Sequence, residues 1–248
     1  MGTISRSDFI NFLQEEIDKI GRVFHIKIKK RLPDGTPIYA LRYKINGKMR
    51  EKYLGKQIPK DLEEKLKRRK KLKELLKLLR SKKAKERKLF LVGYQETDIH
   101  SFVKMLKEFS IGTLVDIRLN PWSRRKEFRK KELNEILREN GIVYIHIPSL
   151  GNPQKIRNEY KVHKDNIKML MDYYIYISSL KLDVISMFYK SYSKPIVLMC
   201  YEKEATSCHR LALAIKLLLE GVIDEFSDIR QEIDKNQVLL FCENLSEY

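Results

Sequence analysis

Four short apolar runs recur through the second half of this 248-residue chain: Leu89 to Gly93, Thr113 to Ile117, Val143 to Ile147 and Ile196 to Cys200. Segments of helical periodicity separate them. Strands that alternate with helices and carry little hairpin signal build a mainly parallel sheet. The runs are apolar at nearly every position, as strands covered on both faces are. The expected fold is therefore α/β, a mainly parallel sheet flanked by helices. One helix starts at Thr97-Asp98-Ile99 and buries Phe102, Leu106 and Phe109. Others are expected over Lys130 to Asn140, over Asn166 to Phe188 and after Cys208; Gln237 to Cys242 reads as a tail strand. Parallel strands bring their carboxyl ends to one edge, where ligand crevices open.

The first third has a different grammar. Ser7-Asp8 opens a helix with Phe9, Phe12, Leu13, Ile17 and Ile20 on one side, ended by Gly21. Val23 to Lys30, Ile38 to Ile45 and Lys48 to Leu54 then alternate as strands, joined by Pro33-Asp34-Gly35 and by the tight turn Asn46-Gly47. A small α+β domain with a three-stranded antiparallel sheet is expected over residues 1–58. A basic connecting helix follows over 59–87, with Leu62, Leu66, Leu72, Leu75, Leu76 and Leu79 on one face. The α/β domain spans 88–248.

Charge narrows the partner. The chain carries 51 Lys+Arg against 33 Asp+Glu, a net of +18. From Lys60 to Lys88 alone there are 15 basic and 5 acidic residues. Such an excess points to an anionic partner, nucleic acid ahead of a membrane surface. Tyr39, Arg42, Tyr43, Lys44, Lys48, Arg50, Lys52 and Lys56 in the sheet, with Arg68 and Arg69 in the helix, are candidate contacts. Cations meet phosphates while tyrosines stack on bases. An ordinary sheet packed on its helix is the plainer reading of the same residues. No apolar run is long enough to span a bilayer, no signal peptide is evident, and no membrane partner is expected. Three cysteines form no disulfide framework, so a reducing cytoplasmic setting is expected.

The chemistry concentrates between Pro195 and Leu219. A buried strand runs into Cys200, Tyr201 and Glu202, then into Cys208, His209 and Arg210 at the start of a helix. Helix N-termini attract anions, and strand ends open the crevice. The plainer reading makes Cys200 a small buried hydrophobe and Glu202–Arg210 an ion pair. A zinc site is disfavoured because no short C-x2-4-C pair is present, so neither metal nor cofactor is expected. Asp116 lies inside an apolar strand and must be paired; Arg118 is its nearest partner by sequence.

From Leu89 to Cys242 the chain resembles the family called domain of unknown function 488. Four ordered blocks carry the resemblance: Val92-Gly93-Tyr94, LVDIRLNPWSRRKEF, GIVYIHIPSLGN and MCYEKEATSCHRLALA. The resemblance implies a compact α/β domain with Asp116, Arg118, Ser123, Phe128, His146, Cys200, Glu202, Cys208, His209 and Arg210 near one site. An acid, an imidazole, a thiol and several cations suit general acid–base work on an anionic substrate. The expected function is a DNA-binding repair enzyme that removes damaged or deaminated bases. Asp116 or Glu202 is then the candidate carboxylate, and Tyr94, Trp122, Phe128 and Tyr201 line the base pocket. Lys126 is the candidate amine if strand cleavage follows. Two other classes fit the same residues. One is a cysteine-dependent enzyme of rhodanese or phosphatase type, with Cys200 or Cys208 at a helix N-terminus. The other is a nucleic-acid-binding module without catalysis.

Overall fold

The computed structural model describes residues 2–20, 23–45, 48–81, 86–180 and 194–245. In chain order its elements are β1 (Thr3–Ser5), α1 (Arg6–Ile20), β2 (Val23–Arg31), β3 (Pro37–Ile45), β4 (Lys48–Gly55), α2 (Lys60–Arg80) and β5 (Lys88–Gly93). There follow α3 (Ile99–Glu108), β6 (Thr113–Asp116), α4 (Lys130–Glu139), β7 (Val143–His146), α5 (Gln154–His163) and α6 (Asn166–Ser178). The last described are β8 (Ile196–Cys200), α7 (His209–Leu219), β9 (Glu225–Asp228) and α8 (Lys235–Asn244). The chain divides into two compact units, Ser7–Arg80 and the combination of Met1–Arg6 with Ser81–Tyr248. Among the described residues, no helix is long and apolar enough to cross a membrane.

The smaller unit holds the expected antiparallel sheet, in the order β2-β3-β4. The expected helix end at Gly21 and the turn Asn46-Gly47 fall outside the described residues. Phe9, Leu13 and Ile17 of α1 are buried, as are Leu72, Leu75, Leu76 and Leu79 of α2 and Ile38 and Ala40 of β3. Both helices thus bury one apolar stripe, and the basic helix is an integral part of this unit. Arg68 donates to Glu16 at 3.1 Å and Arg80 to Gln14 at 3.4 Å, which ties α2 to α1.

The larger unit is built on a six-stranded sheet in the order β1-β9-β5-β8-β6-β7. Every neighbouring pair is parallel except β1 with β9. Lys88, Thr113 and Val143 begin strands whose registered ends are Gly93, Asp116 and His146. α7 lies wholly buried from His209 to Leu219, with His209, Arg210 and Lys216 the polar residues among its apolar ones. Asp98 caps α3 by accepting from the Ser101 amide at 2.9 Å, and the α3 face Phe102, Val103 and Leu106 packs with Leu133 and Leu137 of α4 in one core.

One sequence expectation is corrected here. Gln237 to Cys242 lies in the helix α8, capped by Asp234, and not in a tail strand. Its buried residues are Val238, Leu239, Phe241 and Cys242. That is a spacing of three and four rather than two, so the segment buries a helical stripe. The last strand among the described residues is β9, four residues long, and its polar residues Ser227 and Asp228 are buried. The helix expected to reach Phe188 is described to Ser178; residues 181–193 lie outside the description.

Candidate functional site

The carboxyl ends of β5, β6, β7, β8 and β9 share one edge of the sheet, and the chemistry lies there. The β5–β8 ladder continues past the strand ends: the Tyr94 amide donates to the Cys200 carbonyl at 3.3 Å and the Gln95 amide to the Tyr201 carbonyl at 2.9 Å. Close approach requires the glycine at position 93. A Cβ there would stand 1.7 Å from the Glu202 carbonyl oxygen. The loop after β8 is held from below by Arg210, the largest side chain buried almost completely. Its guanidinium donates to the carbonyls of Glu202 (2.6 Å) and Lys203 (2.8 Å), and to the Asp228 carboxylate at 3.1 Å. Glu202 and Arg210 therefore interact through the Glu202 backbone, while the ion pair of Arg210 is with Asp228.

This clamp brings Cys200, Glu202, Cys208 and His209 together. One donor atom from each lies within 4.8 Å of the others. The Cys200 thiol donates to Glu202 Oε2 at 3.0 Å, and His209 Nδ1 stands 3.8 Å from Cys200 Sγ and 3.7 Å from Cys208 Sγ. His209 Nε2 meets the Ile117 carbonyl at 3.2 Å, and its ring packs edge-on against Tyr173 at 4.8 Å. Tyr173 is itself anchored by donating to the Leu150 carbonyl. Burial, and then the Cys208 charge, push the Glu202 carboxyl up to about 7, against the opposing effects of His209 and the Cys200 hydrogen bond. The Cys200 thiol is pushed well up by its hydrogen bond with Cys208 and by burial. Cys208 is also buried, but its hydrogen bond with Cys200 and the charges of Arg210 and His209 outweigh that and hold it well down.

A cleft of about 650 Å³ opens above this cluster. The four residues line it together with Tyr94, Arg118, Trp122, Ser123 and Tyr201 of the expected set. Trp122 is 58% exposed and Tyr201 48%. Arg124, Arg157, Lys161 and Lys164 add cations to the wall. Asn152 Oδ1 and Arg157 Nε, also in this lining, are buried without a hydrogen-bond partner among the described residues. Sequence reasoning missed the α5 contribution because no helix was expected there. The available signal was the i, i+4 spacing of Arg157 and Lys161, which puts two cations on one helical face, with Lys164 just past the helix end. It also missed Asp228, which carries no local motif.

Other expected residues lie elsewhere. Asp116 is fully buried and saturated: it accepts from the Arg118 amide (3.0 Å), from Arg118 Nε (2.9 and 3.1 Å) and Nη2 (2.6 Å), and from the Tyr144 hydroxyl at 2.6 Å. Arg118 also donates to the Tyr94 hydroxyl and the Phe128 carbonyl. The carboxylate thus organises the strand ends and does not face the cleft. Phe128 is buried, outside the cleft lining, and stacks on the Tyr94 ring at 4.5 Å, so it fills a core rather than a base pocket, while Tyr94 borders both. Lys126 is exposed and outside the cleft lining. His146 is also outside it, its Nε2 2.9 Å from the Arg118 carbonyl and its Nδ1 3.4 Å from Lys130 Nζ.

In the smaller unit, strand register puts Tyr39, Tyr43, Arg50 and Lys52 on one face of the sheet. Arg42 is on the other, beside Glu51, which pairs with Lys27, Lys29 and Arg42. Lys44, Lys48, Lys56 and Arg68 are exposed, and Arg69 is half-buried.

Residues 98–217 match the family model described as Domain of unknown function DUF488. The C-terminal part of the chain thus carries the resemblance, and the sheet and basic helix of the smaller unit lie outside it. No curated protein and no solved structure matches the chain.

Proposed function

We propose that this protein is a nucleic-acid enzyme, acting on DNA in the first place, that removes a damaged or deaminated base by hydrolysis. The observation that carries the reading is the composition of the cleft: among the described residues its lining holds one carboxylate, Glu202, together with several cations and two exposed aromatic side chains. The volume suits a single nucleotide. Arg124, Lys161 and Lys164 would meet the flanking phosphates, and Trp122 or Tyr201 would stack on the extruded base. Glu202 would orient a water and take its proton as the oxygen adds to the sugar C1′. The glycosidic bond breaks, its electron pair leaves with the base, and the base collects a proton from solvent. Of the two carboxylates expected from sequence, Glu202 fits this role because both oxygens of Asp116 are already committed. The strand-cleaving variant has less support, since Lys126 lies outside the cleft. So does cysteine-dependent transfer, since Cys200 and Cys208 are only 4% and 1% exposed.

The test is incubation of the full chain with end-labelled oligonucleotides carrying different base lesions, with alkali-dependent and alkali-independent breaks scored separately. Alkali-dependent breaks at the position of one lesion class, abolished by Glu202→Gln, are expected. Failure to release any base from duplex or single-stranded substrate overturns the reading. Normal turnover by Glu202→Gln would remove Glu202 from it.

A further inference from the structure

We infer that Cys200, Cys208 and His209, with Glu202 as the fourth donor, form a binding site for a single zinc ion. The inference rests on donor geometry and does not depend on the base-removal reading. Two thiols, an imidazole and a carboxylate are a donor set that zinc prefers. A tetrahedral ion with bonds of about 2.0–2.3 Å holds its donors roughly 3.3–3.8 Å apart. The observed separations of 3.0, 3.7 and 3.8 Å already fall close to that, and no pair exceeds 4.8 Å. The widest pair would close by about 1 Å around the ion.

The supporting shell is also of the kind a metal site needs. The ligating histidine of such sites donates its second ring N–H to a carbonyl or carboxylate, which fixes the tautomer. His209 Nε2 stands 3.2 Å from the Ile117 carbonyl, so the proton belongs on Nε2 and Nδ1 presents its lone pair to the two sulfurs. Tyr173 holds the ring from the side. The adjacency of Cys208 and His209, which the spacing rule did not anticipate, is resolved by the backbone. Cys208 is extended (φ −133°, ψ 140°) and His209 begins α7, so the chain changes direction between them and both side chains reach one point. Arg210 fixes the other half by holding the Glu202 carbonyl. Glu202 is the least buried of the four, and all four line the cleft. The ion would therefore sit at the cleft floor, with Glu202 as its outermost ligand. Oε2 can face the ion while Oε1 remains for a water.

The experiment uses the full chain purified under reducing conditions, loaded with zinc, dialysed, and analysed for metal by mass spectrometry. One zinc per chain is expected, lost in Cys208→Ser and retained in Cys242→Ala, which removes the third buried cysteine outside the cluster. Cobalt loaded in place of zinc should give thiolate charge-transfer absorption and the visible bands of a tetrahedral ion. Glu202→Gln should shift those visible bands. If Cys208→Ser proves unfolded, the cobalt spectrum of the wild-type chain decides by itself. A wild-type chain that retains no metal, or whose bound cobalt lacks thiolate charge transfer, overturns the site. So does equal zinc retention by folded wild type and Cys208→Ser.

Discussion

At the scale of single residues, two guanidiniums do most of the positioning. Arg118 and Asp116 form a pair almost fully withdrawn from solvent. Removing one partner of such a pair leaves a buried charge unsatisfied. Arg118→Ala should therefore lower unfolding stability in urea by about 3–5 kcal/mol. Arg118→Lys should recover only part of that, because an ammonium cannot reproduce the forked contacts to Asp116, Tyr94 and Phe128. Arg210 is withdrawn still further, with Asp228. Arg210→Met should cost a similar amount, about 3–5 kcal/mol, and should also free the Glu202 loop. The result to look for is faster amide exchange at Glu202 and Lys203 beyond the change at other loops. Unchanged exchange there would show that the clamp does not hold the loop. The Asp116–Arg118 pair was legible in the sequence because its members are two residues apart on a strand end. The Arg210–Asp228 pair was not, since Arg210 lies on the helix after β8 and Asp228 ends β9, and the two meet only through sheet order.

At the scale of elements, the close crossing of the β8 loop over the end of β5 makes the sharpest demand. With Glu202 carbonyl 1.7 Å from a Cβ on residue 93, Gly93→Ala forces the loop outward. Overpacking of this kind costs about 1–3 kcal/mol, read from thermal or urea unfolding. The neighbouring contact of Tyr94 with Cys200 should weaken with it. A variant as stable as wild type would mean that the loop has room the structure does not provide. The helix α5 carries the complementary lesson. Arg157 and Lys161 sit on it and Lys164 caps its C-terminal end, and it has no buried residue, so the amphipathic signal that revealed α3 and α4 was missing. Replacing Lys161 and Lys164 with Glu should therefore leave stability nearly unchanged while weakening binding of short anionic oligonucleotides. Equal affinity would remove α5 from the substrate wall.

At the scale of the whole molecule, the basic surface of the smaller unit makes a salt test possible. Each phosphate contact contributes about 0.9 to the slope of log affinity against log salt for duplex DNA. Neutralising Lys44, Lys48, Arg50 and Lys52 together should reduce that slope by up to about 3–4 if all four meet phosphates. An unchanged slope would place any nucleic-acid contact elsewhere. Deleting the N-terminal region outright is the wrong comparison. β1 pairs with β9 through Thr3–Ser227, Ile4–Phe226 and Ser5–Glu225, and Arg6 bonds Ile223 and Asp224. A chain that starts at Lys88 would lose an edge strand of the larger sheet as well as the basic surface. Replacing Ser7–Arg80 by a short flexible linker keeps β1 and separates the two effects.

By itself, the sequence determined what short windows encode. Periodicity of two or nearly four placed the antiparallel sheet, the basic helix and most helices, because each buries a face set by its own repeat, and continuous apolar runs placed the parallel strands. The short apolar runs also showed that reactive residues would collect after Ile196–Cys200. Only the tertiary structure decided which of those residues share a site. Strand order and register put Glu202, Cys200, Cys208 and His209 on one floor, turned Asp116 and Phe128 inward, and left Lys126 and His146 outside. It also decided that Thr3–Ser5, three residues long with a single apolar residue, Ile4, is a strand, since only pairing with β9 makes it one. The physical reason is the same in each case. A local pattern specifies which face is buried, whereas the meeting of donors 9 or 92 residues apart, as at His209 with Cys200 and Ile117, depends on how the buried faces stack.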